Sequence, residues 1–210
     1  INIFRVDTFI VRLENEIQKK FKNKVDMNTA IIDGFKHLKY HFPKKDYPSH
    51  IVYMNSLFSS SIFCTEKEIG VGLDRYLGYD SEIVKNLNSM HFHEWIKHGM
   101  DKTFLERDVI TGWIETNLVD EVDGNLAEKI VRWGKIIYFT EAAFPEVDKH
   151  IILRYSEEQL KWAYDNEFEF WNYIVGENML FQLNERNEAN MLGPGPKTPG
   201  LPKEGAPDRM

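Results

Sequence analysis

The residues that come closest to a catalytic pattern lie at His91-Phe92-His93-Glu94-Trp95-Ile96-Lys97-His98. A zinc-peptidase helix carries two histidines at i and i+4, so that both imidazoles reach one metal while the glutamate beside the first activates water. Here His93 and His98 are five apart, which separates them by about 140° on a helix. A different subset, His91, Glu94 and His98, falls at i, i+3 and i+7 and shares one face. Two imidazoles and a carboxylate in that arrangement suit a zinc ion or a polarised water, and they define a metal-site alternative. The competing account is a polar helix face, with Trp95 and Ile96 turned elsewhere.

Other candidates are isolated charges in apolar surroundings. Asp74 closes the apolar run Ile69-Gly70-Val71-Gly72-Leu73, and Tyr76 follows two residues later. An acid at a strand end orients a ligand, pairs with Arg75, or caps the turn near Ser81. Lys135 and Glu141 interrupt a strongly apolar helical stretch, where an unpaired buried charge is costly. They read as a snorkelling lysine and a structural ion pair, or as the polar groups of a pocket. Cys64 is the single cysteine and lies in Ile62-Phe63-Cys64, so it reads as an inert buried thiol. It rules out an intramolecular disulfide and any multi-thiolate metal site. Ser59-Ser60-Ser61 lacks the Gly-x-Ser-x-Gly elbow of a hydrolase nucleophile. Gly70-x-Gly72 lacks the Lys-Ser/Thr and the helix start of a phosphate loop.

The elements that must position these residues are mostly helical. Apolar residues recur every three or four positions over Asp7–Phe21 and Asn28–His41, with Asn28 or Thr29 as the second helix's N-cap. Residues 50–54, 61–65 and 69–74 are β-branched or aromatic runs. The polar link Glu66-Lys67-Glu68 predicts a hairpin between the last two. Helices are predicted over Ser81–Leu87, His93–His98, Thr103–Val119 and Asn125–Phe144, the last so broadly apolar that it should be central and largely buried. Ser156-Glu157-Glu158-Gln159 is a capping-box signature that opens a helix running to about Val175. A short helix is predicted over Met179–Leu183. The aromatic residues Trp162, Tyr164, Phe168, Phe170, Trp171 and Tyr173 crowd more than one face of the 156–175 helix, and any that stay exposed would mark a partner-binding patch.

The fold class is therefore α+β and mainly α, with helices around a small antiparallel sheet of about three strands. Residues 1–191 read as one globular domain. Residues 192–210 read as an extended segment, since they hold five of the chain's eight prolines (194, 196, 199, 202 and 207). The net charge of −7 argues against a nucleic-acid partner. The only basic run, Lys19 to Lys24, reads as a solvated helix end. No cofactor is indicated. The chain starts at Ile1 rather than Met, so a leader or anchor is expected to have been removed upstream.

Three stretches together resemble the GldB-type gliding-motility lipoproteins of Bacteroidetes. They are Ile69–Asp80 (IGVGLDRYLGYD), Gly134–Phe139 followed by Pro145, and Tyr155–Trp162 followed by Asn166-Glu167 and Trp171. Arg5 and Asp7 in the opening helix and the closing Pro207-Asp208-Arg209-Met210 fit the same pattern. The resemblance implies an exported domain held at the cell envelope by an N-terminal lipid, a membrane attachment lying outside this chain. It also implies envelope protein partners in the gliding or type IX secretion machinery. The order of elements further resembles zincin metallopeptidases, whose metal helix would correspond to the stretch containing Glu115. That stretch has no histidine, which favours a non-catalytic binding domain that holds a protein or peptide-like ligand in a groove beside the sheet. On that view Asp74, Tyr76, Glu115, Lys135 and Glu141 are the candidate ligand-binding residues. The alternatives are a metal-dependent hydrolase built on His91, Glu94 and His98, and a purely structural subunit.

Overall fold

The computed structural model of the protein describes residues 7–193. The extended segment expected at 192–210 lies almost wholly outside the described residues, as does Arg5. The described chain is α+β and mainly helical. Its described residues divide into two compact units, one of residues 7–118 with 142–145 and one of residues 119–141 with 146–193.

The first unit opens with α1 (Thr8–Lys20) and α2 (Val25–His41). Asp7 caps α1 by accepting the Phe9 and Ile10 N–H groups. The apolar stripe of α1 buries Leu13 and Ile17, with Phe21 behind it. α2 starts three residues before its predicted cap. The Asn23 side chain accepts the Val25 N–H and so catches the first turn. Asn28 is thereby left inside the helix, where its amide oxygen accepts a hydrogen bond from the Tyr53 hydroxyl.

The sheet has three strands, β1 (His50–Met54), β2 (Ile62–Cys64) and β3 (Glu68–Gly72), in the order β1-β3-β2. The predicted hairpin is present as the antiparallel β2–β3 pair. The expectation of a wholly antiparallel sheet is corrected, because β1 runs parallel to β3, from His50 opposite Glu68 to Met54 opposite Gly72. The physical reason lies in the connections. Residues 55–61 carry the chain out of β1 and across the end of β3, so β2 enters on the far side and β1 is left as an edge. The same loop explains Gly72, where a Cβ would lie 2.1 Å from the Ser60 carbonyl oxygen.

A 3₁₀ turn (Leu73–Tyr76) follows β3, so Asp74 sits in a turn rather than at the end of the strand. Two short helices, α3 (Glu82–Lys85) and α4 (Glu94–His98), and a 3₁₀ turn (Lys102–Phe104) lead to α5 (Leu105–Asn117). α5 packs against α2 and the inner face of the sheet. Its Gly112 lets Ile62 and Cys64 approach closely. Val109, Ile110, Trp113 and Ile114 of α5 join Ile69 and Val71 of β3 in the core.

The second unit contains most of α6 (Leu126–Ala143), then α7 (Lys149–Leu153), α8 (Glu157–Asp165), α9 (Glu167–Gly176) and α10 (Glu185–Leu192). The predicted capping box is present, with Ser156 and Gln159 satisfying each other's backbone N–H groups. The predicted 156–175 helix is interrupted at Asn166. The helix predicted over Met179–Leu183 is a turn. Asn178 adopts φ 53° and the Met179 N–H bonds to the Ile174 carbonyl, which reverses the chain. Asn184 then caps α10 through the Arg186 and Asn187 N–H groups. Leu126, Ile174, Met179 and Met191 form the core of this unit. α6 is less buried than its composition predicts, since Val131, Trp133 and Tyr138 reach solvent. No helix among the described residues is long and apolar enough to cross a membrane.

Candidate functional site

The open concavity of the first unit lies along the free edge of β1. Its other wall is α2, and the two enclose a cleft of about 430 Å³. Ile32 and Phe35 come from α2, Tyr47 and Pro48 from the connecting loop, and Ile51 and Tyr53 from β1. Each owes its place to local chain geometry. Helical spacing brings Asn28, Ile32, Phe35 and Lys39 onto one flank of α2, and the period of two along β1 brings Ile51 and Tyr53 to one face. Behind the wall, buried Trp113 stacks on Tyr47 with centroids 4.9 Å apart and meets the Phe35 ring edge-on at 5.4 Å.

The polar groups of the cleft are few. Tyr53 and Asn28 supply a hydrogen-bonded pair on the inner side. Burial, helped by the nearby Glu106 carboxylate, pushes the Tyr53 hydroxyl up to about 12. Burial also raises Tyr47, and it raises Glu106 against the opposing pull of Lys102. Both phenols are therefore neutral near pH 7. The rim is basic, made of Lys36, Lys39 and His50. Lys36 is held by Asp33 at 2.8 Å and the His50 Nδ1 meets the Ser49 hydroxyl at 2.9 Å. Lys39 has no ion pair among the described residues. As an edge strand, β1 also offers the backbone N–H and C=O groups that β3 does not take, which is a template for an added strand.

The ligand-binding candidates read from the sequence are not gathered here. Asp74 is fully buried, and its carboxylate accepts the Ser56 N–H at 2.7 Å, the Ser56 hydroxyl at 2.8 Å and the Phe58 N–H. Tyr76, two residues on, is also buried, and its hydroxyl donates instead to Asp108 at 2.9 Å, which Arg107 neutralises. Glu115 lies on α5 beside Cys64. In the second unit Lys135 is exposed, and Glu141 faces Lys149 at 3.4 Å, raising the lysine's affinity for its proton.

The histidine set does not share one helix face either. α4 has only five residues and begins at Glu94, so His91 lies in the preceding turn rather than on a common helix face. The Glu94 carboxylate accepts from Lys97 and from the Tyr79 hydroxyl, each at 2.9 Å, while the His98 ring stacks on Tyr79. Among the described residues no group of three or more His, Cys, Asp or Glu is arranged to hold a metal ion.

Cys64 gives a direct chemical check on the sheet's inner face. Burial pushes its thiol up to about 11; the Thr116 hydrogen bond opposes this and the Glu115 charge adds to it. The reactive thiolate is then scarce until the pH nears 11. Alkylation by iodoacetamide at pH 8 should run roughly a hundredfold slower in the folded chain than in urea, with the folded rate climbing steeply above pH 10. A folded rate close to that in urea would show that the β2–α5 contact opens readily.

The family model described as gliding motility protein GldB matches residues 1–210, the whole chain. No curated protein and no solved structure matches it.

Proposed function

Because the chain belongs to the gliding motility protein GldB family, we propose that it serves the gliding machinery as a non-catalytic docking domain, lipid-anchored at the cell envelope. In this role the edge of β1 takes up an extended segment of a protein partner. The observation that carries the proposal is a strand edge that no other described strand occupies, with an apolar cleft beside it. Main-chain pairing along an edge provides affinity, and pockets for alternate side chains provide selectivity. The apolar surface continues onto the sheet's outer face. There Val52, Met54 and Phe63 are 45%, 40% and 61% exposed around Gly70, whose missing side chain leaves room for the Met54 methyl. Contiguous apolar surface of this kind is characteristic of interaction sites. The basic rim favours a partner segment with acidic flanks.

A binding role also accords with how the polar side chains are used. Asp74 and Glu94 are engaged by neighbouring backbone, lysine and tyrosine groups, as internal supports are.

The test replaces Ile32, half exposed on the cleft wall, with Asp in a gliding bacterium. A charge in the apolar cleft should weaken recovery of the partner roughly tenfold or more. It should also abolish colony spreading while leaving the melting temperature of the purified domain within a few degrees. Normal spreading and undiminished partner recovery in Ile32→Asp would remove the cleft from the account.

A further inference from the structure

A second surface is independent of the cleft and belongs to the second unit. α8 and α9 are nearly continuous across Asn166, whose N–H bonds to the Trp162 carbonyl and whose carbonyl accepts the Phe170 N–H. On the outward side of α9 Phe168, Trp171 and Val175 fall at i, i+3 and i+7, which places them in one line, and exposed Tyr164 precedes them on α8. Phe168 is 72% exposed, Trp171 43% and Val175 56%. The opposite side of the same helices already supplies the core through Phe170, Tyr173 and Ile174. The outward line is therefore surplus to folding, and large aromatics in a row on a helix are the anchors of a helix-in-groove contact.

The charges beside the line indicate what covers it. Glu167 and Glu169 are both exposed on α9. Lys161, the lysine within α8, is engaged by Asp165. Lys149 meets the Tyr164 hydroxyl at one end and is itself balanced by Glu141. An acidic border disfavours an anionic bilayer. It also disfavours a second copy of this face, which would set carboxylates against carboxylates.

We propose that α8–α9 docks Phe168, Trp171 and Val175 into an apolar groove of a second protein, one rimmed by lysine and arginine. Its residues belong to the second unit and those of the β1 cleft to the first.

The test places a photo-crosslinking amino acid at exposed Asn172 in the full-length protein in cells. The adduct is identified, and its protein is purified for titration against the unlabelled chain. The expected result is one protein adduct whose binding weakens roughly a hundredfold or more in Phe168→Ala/Trp171→Ala. Binding should also weaken about tenfold in Glu167→Lys/Glu169→Lys and fall as salt rises. Circular dichroism and the Ile32→Asp variant serve as controls, the first for folding and the second for independence from the cleft. Four results would overturn the proposal. One is an adduct only with another copy of the chain, with dimers seen by sedimentation. Another is co-sedimentation with phosphatidylethanolamine–phosphatidylglycerol vesicles that depends on Trp171. The last two are a titration unaffected by the aromatic and charge variants, and no adduct at all.

Discussion

Replacing Asp74 with Ala is expected to cost roughly 3–4 kcal/mol of folding stability, since it removes three hydrogen bonds to one buried carboxylate. The bonds reach Ser56 and Phe58 in the loop that crosses the end of β3. That loop holds Leu57 at φ 53° and Phe58 at φ 61°, a left-handed backbone that residues with a Cβ adopt at a cost. Asp74 offsets that cost by satisfying donors that would otherwise be buried unpaired. The sum is less than three separate charged hydrogen bonds because the loop can relax once one is lost. Ser56→Ala removes only the hydroxyl bond and should cost about 1 kcal/mol. Urea denaturation of the two variants measures the difference. A ligand-binding role for Asp74 makes the opposite forecast, with stability kept and partner binding lost. Equal midpoints for wild type and Asp74→Ala would therefore favour that role.

The contrast between Asp74 and the β1 cleft shows which parts of the site the sequence can convey. A lone acid after an apolar strand stands out in one dimension, but its hydrogen-bond partners lie 16 and 18 residues away and supply no local signal. In the sequence Ile32 and Phe35 belong to an apolar helical stripe and Tyr53 to an aromatic strand run, and periodicity reports a face, not whether that face meets another element. Strand direction was hidden for a similar reason. The runs at 50–54 and 62–64 look alike, and only the loop pinned by Asp74 sends the second to the far side of β3. By contrast, the α1 stripe, the β2–β3 hairpin and the Ser156 capping box rest on contacts within a few residues, and these were read correctly. The family was legible too, through the resemblance carried by three stretches taken together, and the family model covers the whole chain. The exposed aromatics of α8–α9 lie between these cases. Their crowding on more than one helix face left open whether any stays exposed, and which ones do depends on the packing around Leu126, Ile174, Met179 and Met191.

Trp113→Ala should lower stability by about 3–5 kcal/mol, the usual loss when a large buried aromatic leaves a cavity. Two effects oppose each other at this residue. Trp113 is fully buried between Phe35 and Tyr47, and its ring contributes dispersion and apolar area on both sides. Its indole N–H, however, has no hydrogen-bond partner among the described residues, a burden of about 1–3 kcal/mol. The packing gain is larger, since an indole buries enough apolar surface to be worth roughly 4–6 kcal/mol. Trp113→Phe separates the two effects. It keeps an aromatic face against Tyr47 and drops the unpartnered donor, so the smaller ring's cavity is partly offset. Its cost should stay below about 1.5 kcal/mol. Thermal and urea unfolding of the Ala and Phe variants give the comparison. The consequence also reaches the cleft, because Phe35 and Tyr47 line it and lean on Trp113. Partner recovery should fall in Trp113→Ala even at temperatures where the domain stays folded, and it should be nearly normal in Trp113→Phe. If the Phe variant proves as unstable as the Ala variant, the indole N–H is making a bond that matters, and the balance drawn between packing and desolvation is wrong.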